Sequence, residues 1–273
     1  MDFVLFLKTV AMGLVEGATE FLPVSSTGHL IIAGDWLHFL QDRPETAASF
    51  EIIIQLGAIL AVVWHYRGKI WEVLRRLGRD QAANRLFLNL VLAFLPAAVV
   101  GLAAHHWIKE HLFHPITVAL ALVVGGVLIL VIEAWHRAPN TETVDDIRPK
   151  TALGIGICQV LSLFPGTSRS AATILGGVSL GLSRVAATEF SFFLAIPVMF
   201  AATGLDLAKS YHDLHAADFP IFAVGFVVSF LSALVVIKAL LRFVASHTFR
   251  GFAWYRIAFG LLLLGWYYTH PGS

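Results

Sequence analysis

Five side chains in two short segments of this chain could together perform phosphate chemistry. Glu16 and Glu20 are four residues apart, so on a helix both carboxylates lie on one face and repel unless a cation or proton lies between them. Paired carboxylates and phosphate oxygens commonly hold Mg²⁺ or Ca²⁺. Ser26 and His29 are three residues apart, and a serine beside a histidine permits nucleophilic catalysis with imidazole as the base. Arg169, in the second segment, carries a permanent charge that matches phosphate oxygens.

Hydroxyl residues accompany these groups in both segments. Pro23 and Pro165 each end an apolar helix, since proline lacks an N–H group and disfavours helix in the residue before it. The residues that follow begin a second helix, whose free N–H groups and dipole form an anion site. The sequence therefore predicts that the substrate is bound by the hydroxyl side chains of Ser25, Thr27, Thr167, Ser168, Ser170 and Thr173.

The composition is that of an integral membrane protein. Of the 273 residues, 58% are hydrophobic and 14% are charged, and the mean hydropathy is +0.77. Charged residues make up about a quarter of an average soluble domain. The apolar blocks lack the alternation of a strand, which favours an all-α polytopic protein over a barrel. Since each buried charge costs about 2.5–3.5 kcal/mol at membrane depth, charged groups retained there indicate a functional site.

Six segments are long enough to cross a hydrocarbon core, which needs about 20 apolar residues. Two other apolar regions, 3–40 and 151–182, are interrupted by proline, glycine and polar residues into halves of about a dozen residues. Halves of that length are too short to span, so each region is predicted to form a re-entrant helical hairpin. The six predicted spans lie near 47–66, 86–107, 115–135, 185–205, 219–241 and 252–269.

The distribution of basic residues orients these segments. The loop 67–85 carries six Lys or Arg residues, and the loop 136–150 and the turn 242–250 are also basic, so all three are predicted to be cytoplasmic. If 151–182 crossed the membrane once, the turn 242–250 would lie outside. A region that enters and returns keeps every basic loop inside and places both termini in the periplasm.

This topology predicts two inverted repeats. Residues 1–135 enter as a hairpin from outside and cross three times, and residues 151–273 do the same from inside, after a cytoplasmic linker at 136–150. A shift of 142 residues aligns Ser26 with Ser168, which supports the repeat. Hairpins that enter from opposite faces meet near the midplane, where inverted-repeat proteins build sites from broken helices.

The two segments also resemble a known family. The sequences EGATEFLPVSSTGH at 16–29 and PGTSRS at 165–170 are similar to the two signature motifs of the undecaprenyl-pyrophosphate phosphatase family linked to bacitracin resistance. Length, span count and segment order are similar too, although Ala171 stands where members often have glycine. The resemblance implies hydrolysis of a C55 polyprenyl diphosphate to the monophosphate and inorganic phosphate with a divalent cation. That reaction recycles the carrier lipid for cell-wall synthesis in the bacterial inner membrane.

The residues suggest a mechanism with two variants. Glu16 and Glu20 hold the cation, while Arg169 and the two half-helix N-termini bind the diphosphate and stabilise the transferred phosphoryl group. In the first variant Ser26 attacks and His29 accepts its proton, and water later releases phosphate. In the second, Ser26 is only a ligand and His29 or a glutamate activates water. The sequence alone leaves both open.

A function of another class is also compatible with the pattern. Inverted repeats with broken helices are typical of transporters, so a transporter or flippase of a polyprenyl phosphate is the alternative. The Ser26–His29 pair favours an enzyme, because a transporter needs only the anion site. The expected partners are the lipid diphosphate and the surrounding membrane lipids, without nucleic acid. A homodimer is compatible with the sequence.

Overall fold

The fold is helical throughout the residues that the computed structural model describes, which are 1–112, 115–135, 138–210 and 216–269. This part of the chain contains eleven α-helices, three short 3₁₀ helices and a single isolated β-bridge. The α-helices are α1 (Phe3–Thr19), α2 (Ser26–Leu37), α3 (Pro44–His65), α4 (Arg67–Arg76), α5 (Gln81–Leu112), α6 (Pro115–Trp135), α7 (Pro149–Gln159), α8 (Arg169–Ser179), α9 (Arg184–Ser210), α10 (Phe219–Val244) and α11 (Arg250–Thr269). Residues 136–137 of the predicted linker, and 211–215 and 270–273 of the predicted second repeat, lie outside the described residues.

Both predicted hairpins are pairs of short helices joined at a proline-containing turn. Helix α1 has 17 residues, more than the dozen expected, and α2 has 12. At 1.5 Å per residue α1 is about 25 Å long, which is short of a hydrocarbon core of about 30 Å. Helices α7 and α8 have 11 residues each, and a 3₁₀ turn at Val160–Leu163 follows α7.

The second helix of each hairpin starts from a serine with left-handed backbone. Ser25 precedes α2 with φ of 72°, and Ser168 precedes α8 with φ of 74°. These two serines are 143 residues apart, so beyond the prolines the halves align one residue away from the predicted shift of 142. The second turn contains Gly166, also left-handed with φ of 89°, where a side chain would meet the backbone of Val118.

Five helical segments are long and apolar enough to cross a membrane, which makes the chain a polytopic membrane protein. The sixth predicted span, 252–269, is a 20-residue helix, α11, but it falls outside this set. Arg256 and the tryptophans and tyrosines near its ends lower its hydropathy. The five segments are Pro44–His65, Gln81–Ala104, Ile116–Trp135, Arg184–Ala208 and Phe219–Val244.

The hairpin of each half of the chain packs against a helix of the other half. Helix α1 packs against α10 of the second half, and α7 packs against α5 of the first, while α3 contacts α9 and α6 contacts α11. Glycines allow these close approaches, since Gly17 lies directly against Ser229 of α10 and Gly156 against Ala93 of α5. The same pattern of neighbours therefore occurs twice, once with each hairpin.

Each hairpin begins and ends at the same side of the protein. In the first, the Lys8 ammonium of α1 donates to the His38 carbonyl at the end of α2, at 3.3 Å. In the second, the backbone at 140–141, ahead of α7, hydrogen-bonds the backbone at 181–183, beyond α8, with N···O distances of 2.9 and 3.0 Å. The two ends of each hairpin therefore lie close together.

The three loops that are predicted to be cytoplasmic contact one another directly or contact the same neighbouring residues. Lys69 of the loop 67–85 pairs with Asp145 of the linker at 2.5 Å. Glu133, at the end of α6, accepts two hydrogen bonds from Arg184 and one from the backbone N–H of Phe249, in the turn before α11. The linker also lies beside residues 181–183, so these loops lie at one end of the helical bundle.

Candidate active site

A cavity of about 250 Å³ lies where the two hairpin turns meet. Residues of both sequence motifs line it, together with apolar side chains of α9. The two interrupted helices therefore bring polar groups together inside the helical bundle, as expected from the sequence. The polar lining that bears on chemistry consists of Glu20, Ser25, Ser26, Thr27, Gln55, Ser168 and Arg169.

Glu20 lies between the serine of the first turn and the arginine of the second. Its Oε2 accepts a hydrogen bond from the Ser26 hydroxyl at 2.5 Å, and its Oε1 faces the Arg169 guanidinium at 3.3 Å. The Glu20 side chain is 7% exposed and that of Arg169 is 11% exposed. A carboxylate this close to a serine hydroxyl can accept its proton, so Ser26, Glu20 and Arg169 form one connected polar chain.

Arg169 is held so that part of its guanidinium remains unused. One Nη donates to the Ser191 carbonyl at 3.2 Å, the other faces Glu20, and the ring of Phe21 lies 6.0 Å from the guanidinium carbon. Its Nε is buried and has no hydrogen-bond partner among the described residues. A phosphate oxygen would satisfy donors that the protein leaves free.

Glu16 lies one helical turn before Glu20 and is almost fully buried, at 1% exposure. Its Oε1 has no hydrogen-bond partner in the described part of the chain. The charges that act on it are those of Glu20, Glu51 and Arg169. A buried carboxylate oxygen without a partner is costly, so this position suits a bound cation or proton. No group of three or more possible metal ligands occurs among the described residues.

The start of α2 is open toward the cavity. Ser25 is its N-cap residue, yet the Ser25 side chain makes no capping hydrogen bond. The first N–H groups of a helix have no partner within it, so those of α2 remain available to an anion. Ser26 is half-buried and Thr27 is exposed, and both line the cavity.

The start of α8 is closed by its own side chains. The Ser168 hydroxyl accepts from the Ala171 N–H at 3.2 Å and lies 2.9 Å from that of Ser170. Ser170 is buried and donates to the Leu22 carbonyl at 2.7 Å. Thr173 is buried and lies 2.6 Å from the Ser191 hydroxyl.

Three of the residues predicted to bind substrate make contacts within the protein, and their role in substrate binding stays a prediction. Ser170 and Thr173 use their hydroxyls inside the protein, and Thr167 contributes its carbonyl to a different contact described below. Their side chains are not part of the cavity lining. Among the predicted binding residues, Ser25, Thr27 and Ser168 do line the cavity.

His29 is not hydrogen-bonded to Ser26. Its Nδ1 lies 2.7 Å from the Ser25 carbonyl, and its Nε2 lies 2.6 Å from the Tyr255 hydroxyl. The ring of Phe259 stacks on the imidazole at 4.5 Å between centroids. Both ring nitrogens are thus engaged, and the group that contacts the Ser26 hydroxyl is the Glu20 carboxylate.

Sequence reasoning missed Arg256, which is fully buried in α11. Its guanidinium donates to carbonyls of both hairpin turns, namely those of Pro23, Gly166 and Thr167. The sequence did contain a signal for Arg256. Burying an arginine inside an apolar segment costs free energy there, as it does for Arg169 in its hairpin.

The fold and the cavity define a class: a polytopic helical membrane protein with a buried carboxylate–serine–arginine site suited to a phosphorylated ligand. The model of the family described as Bacitracin resistance protein BacA matches residues 9–262. The chain belongs to this family, which confirms the family predicted from the two motifs.

Curated relatives agree over nearly the whole chain. An undecaprenyl-diphosphatase of Nitrosospira multiformis is 56% identical over 97% of this chain and 96% of its own length. Proteins of the same name from Laribacter hongkongensis and Ectopseudomonas mendocina are each 53% identical, over 97% and 99% of this chain and 96% and 97% of theirs. The family match at 9–262 includes both motifs.

Proposed function

We propose that this protein is a membrane-embedded phosphatase that hydrolyses undecaprenyl diphosphate to undecaprenyl phosphate and inorganic phosphate. This activity recycles the carrier lipid of cell-wall synthesis in the bacterial inner membrane and confers bacitracin resistance. The observation that carries the proposal is the connected chain of Ser26, Glu20 and Arg169 in a cavity between two helix turns. Membership of the family and the names of its close relatives agree with it.

Ser26 is the proposed nucleophile. Its Oγ attacks the terminal phosphorus and forms a Ser–O–P bond as the bond to the bridging oxygen breaks, and undecaprenyl phosphate leaves. The serine proton passes to Glu20, whose Oε2 already accepts it as a hydrogen bond at 2.5 Å. Water then attacks the phosphorus of the phosphoserine and the Ser–O–P bond breaks. The serine oxygen takes back the proton from Glu20, and inorganic phosphate leaves.

Arg169 and the start of α2 are the proposed binding groups for the diphosphate. The Arg169 guanidinium has a free donor, and α2 offers uncapped N–H groups beside Ser26. Both would lie against phosphoryl oxygens, where charge develops as the phosphoryl group is transferred. Ser25, Thr27 and Ser168 line the same cavity and provide hydroxyls.

His29 remains the second candidate for proton transfer. Its contacts with Ser25 and Tyr255 direct it away from Ser26, so acceptance of the serine proton by Glu20 is favoured. Direct attack by water, with Ser26 as a ligand only, would also need a carboxylate near the phosphorus. The geometry favours the serine because its hydroxyl is already hydrogen-bonded to a base.

Glu16 and Glu20 are the proposed ligands of a divalent cation. The unpartnered Glu16 oxygen and the lone pairs that Glu20 does not use fit a cation held by two carboxylates and substrate phosphates. That ligand set is typical of Mg²⁺, whereas Ca²⁺ usually takes six to eight oxygens. When bound, the cation would neutralise charge on the diphosphate.

The proposed topology has six spans and two re-entrant hairpins in an inverted repeat, with both termini in the periplasm. The return of each hairpin to its side of entry and the repeated pattern of helix neighbours support it. The contacts among the basic loops support one cytoplasmic end. The repeats would be 1–135 and 151–273, and a homodimer stays a prediction.

Phosphate release by the purified protein tests the function directly. The detergent-solubilised protein is incubated with undecaprenyl diphosphate, and inorganic phosphate is measured against an Arg169→Ala variant prepared in the same way. Release that depends on Arg169 is expected. If the folded protein binds the lipid but releases no phosphate, the transporter or flippase alternative takes the place of the enzyme.

A further inference from the structure

Arg256 uses every donor of its guanidinium on backbone carbonyls. The Nη groups donate to Pro23 at 3.2 Å, to Gly166 and Thr167 at 3.0 Å, and to Ala121 at 3.1 Å. Its Nε donates to Leu122 at 3.3 Å. A guanidinium has five N–H donors, and here five carbonyls accept them.

The charge of Arg256 has no carboxylate partner in the described part of the chain, and the side chain is 0% exposed. An arginine buried in this way is costly in a membrane protein, and an apolar residue would avoid that cost. What the arginine provides is a fixed link between three separate segments: the first turn, the second turn and α6.

Helix α6 is shaped to receive this arginine. A side chain at Gly125 would overlap the Arg256 guanidinium, and one at Gly126 would lie 2.7 Å from the Ala253 carbonyl. The glycine pair therefore lets α11 approach α6 closely enough for the guanidinium to reach both turns.

We infer that Arg256 is a positioning residue that holds the two catalytic turns in register, a role that rests on the proposed function. Pro23 lies three residues before Ser26, and Thr167 lies two residues before Arg169. By holding both carbonyls, the guanidinium of Arg256 fixes the nucleophile of one hairpin relative to the phosphate-binding charge of the other. A displacement of 1 Å between such groups costs about 100-fold in rate.

Two variants test the inference in the phosphate-release assay. Arg256→Lys keeps the charge but cannot link five carbonyls, and Gly125→Ala keeps the arginine but obstructs its guanidinium. Arg250→Lys, at an exposed position of the same helix, is the matched control. We expect kcat per folded protein to fall about 100-fold in the first two, KM to change far less, and the control to be unchanged.

Folded protein is quantified for each variant by size exclusion and thermal unfolding. Normal kcat in the folded fraction of Arg256→Lys or of Gly125→Ala would overturn the inference, because the arginine would then only stabilise the fold. The unmodified protein is measured in the same assay. Absence of phosphate release there would refute the proposed function, whereas unchanged variants beside an active unmodified protein would refute the positioning role alone.

Discussion

The N-termini of α2 and α8 follow similar turns but are used differently. Both start from a left-handed serine. At α2 the Ser25 side chain makes no cap, and the neighbouring Ser26 and Thr27 line the cavity. At α8 the Ser168 hydroxyl caps the helix, and residues 170–178 are buried. Of these two similar turns, only the first leaves the N-terminus of its helix without a side-chain cap.

This difference indicates a division of labour. In the proposed mechanism the first hairpin provides Glu16, Glu20 and Ser26, the groups that react or hold a cation. In the same proposal the second hairpin provides Arg169, and its Ser170 joins the two turns by donating to the Leu22 carbonyl. In this proposal the reactive groups lie on one hairpin and the binding charge lies on the other.

The largest effect is expected in the first hairpin. Ser26→Ala should lower kcat by about 1,000-fold or more, because removal of a nucleophile abolishes the main route. Binding of the diphosphate should persist through Arg169. The measurement is steady-state phosphate release, with Ser179→Ala, an exposed serine bonded to its own helix, as the control. Turnover within tenfold of the unmodified protein would leave Ser26 as a ligand only.

The next effect concerns the charge contributed by the second hairpin. Arg169→Ala should lower kcat about 100- to 1,000-fold, because donors aimed at developing charge are lost. Arg169→Lys should restore little of it, since an ammonium cannot reproduce the planar fork. Arg148→Ala, at an exposed position before α7, serves as control. Near-normal kinetics of the Arg169→Ala variant would show that this arginine is only structural.

A smaller effect should distinguish the two carboxylates of the first hairpin. Glu16→Gln should raise the Mg²⁺ concentration needed for half-maximal activity about tenfold or more, while Glu20→Gln should also lower the activity at saturating Mg²⁺ because Ser26 loses its proton acceptor. Activity is titrated with Mg²⁺ after treatment with a chelator, with the exposed Glu45→Gln as control. Full activity of the unmodified protein in chelator would remove the metal role.

The smallest catalytic effect is expected within α8. Thr173→Val should destabilise the protein by about 1–3 kcal/mol, because the buried Ser191 hydroxyl loses its partner. Its kcat per folded protein should stay within a few-fold of normal. Thermal unfolding and phosphate release are compared with Thr203→Val, whose hydroxyl bonds only within its own helix. A large loss of kcat without loss of stability would place Thr173 among the substrate ligands.

The elements of the site were predictable where the signal is local. Turns that contain Pro23 and Pro165 separate the two helices of each hairpin, and the family motifs around them meet at the cavity. The five most apolar spans follow from length and hydropathy. The register between the halves differed by one residue because the N-cap serine lies two residues after Pro23 but three residues after Pro165.

The contacts that join distant parts of the chain could not be predicted in this way. His29 meets Tyr255, 226 residues later, and this contact turns the imidazole away from Ser26. Arg256 donates to backbone carbonyls of residues 23, 121–122 and 166–167. Every residue type has such a carbonyl, so the sequence at these positions does not predict the contact. The capping of α8 by Ser168 is likewise not specified by the motif, since Ser25 has nearly the same φ and its side chain makes no cap.

The most direct test of the division of labour is a rapid-quench experiment with undecaprenyl diphosphate labelled at its terminal phosphate. The protein is mixed in excess over substrate, quenched with acid within milliseconds, digested and analysed by mass spectrometry. The account predicts a transient phosphoserine at Ser26, absent from Ser26→Ala and present in the unmodified protein before phosphate is released. Release of labelled phosphate at full rate without any phosphorylated residue of the first hairpin would contradict it.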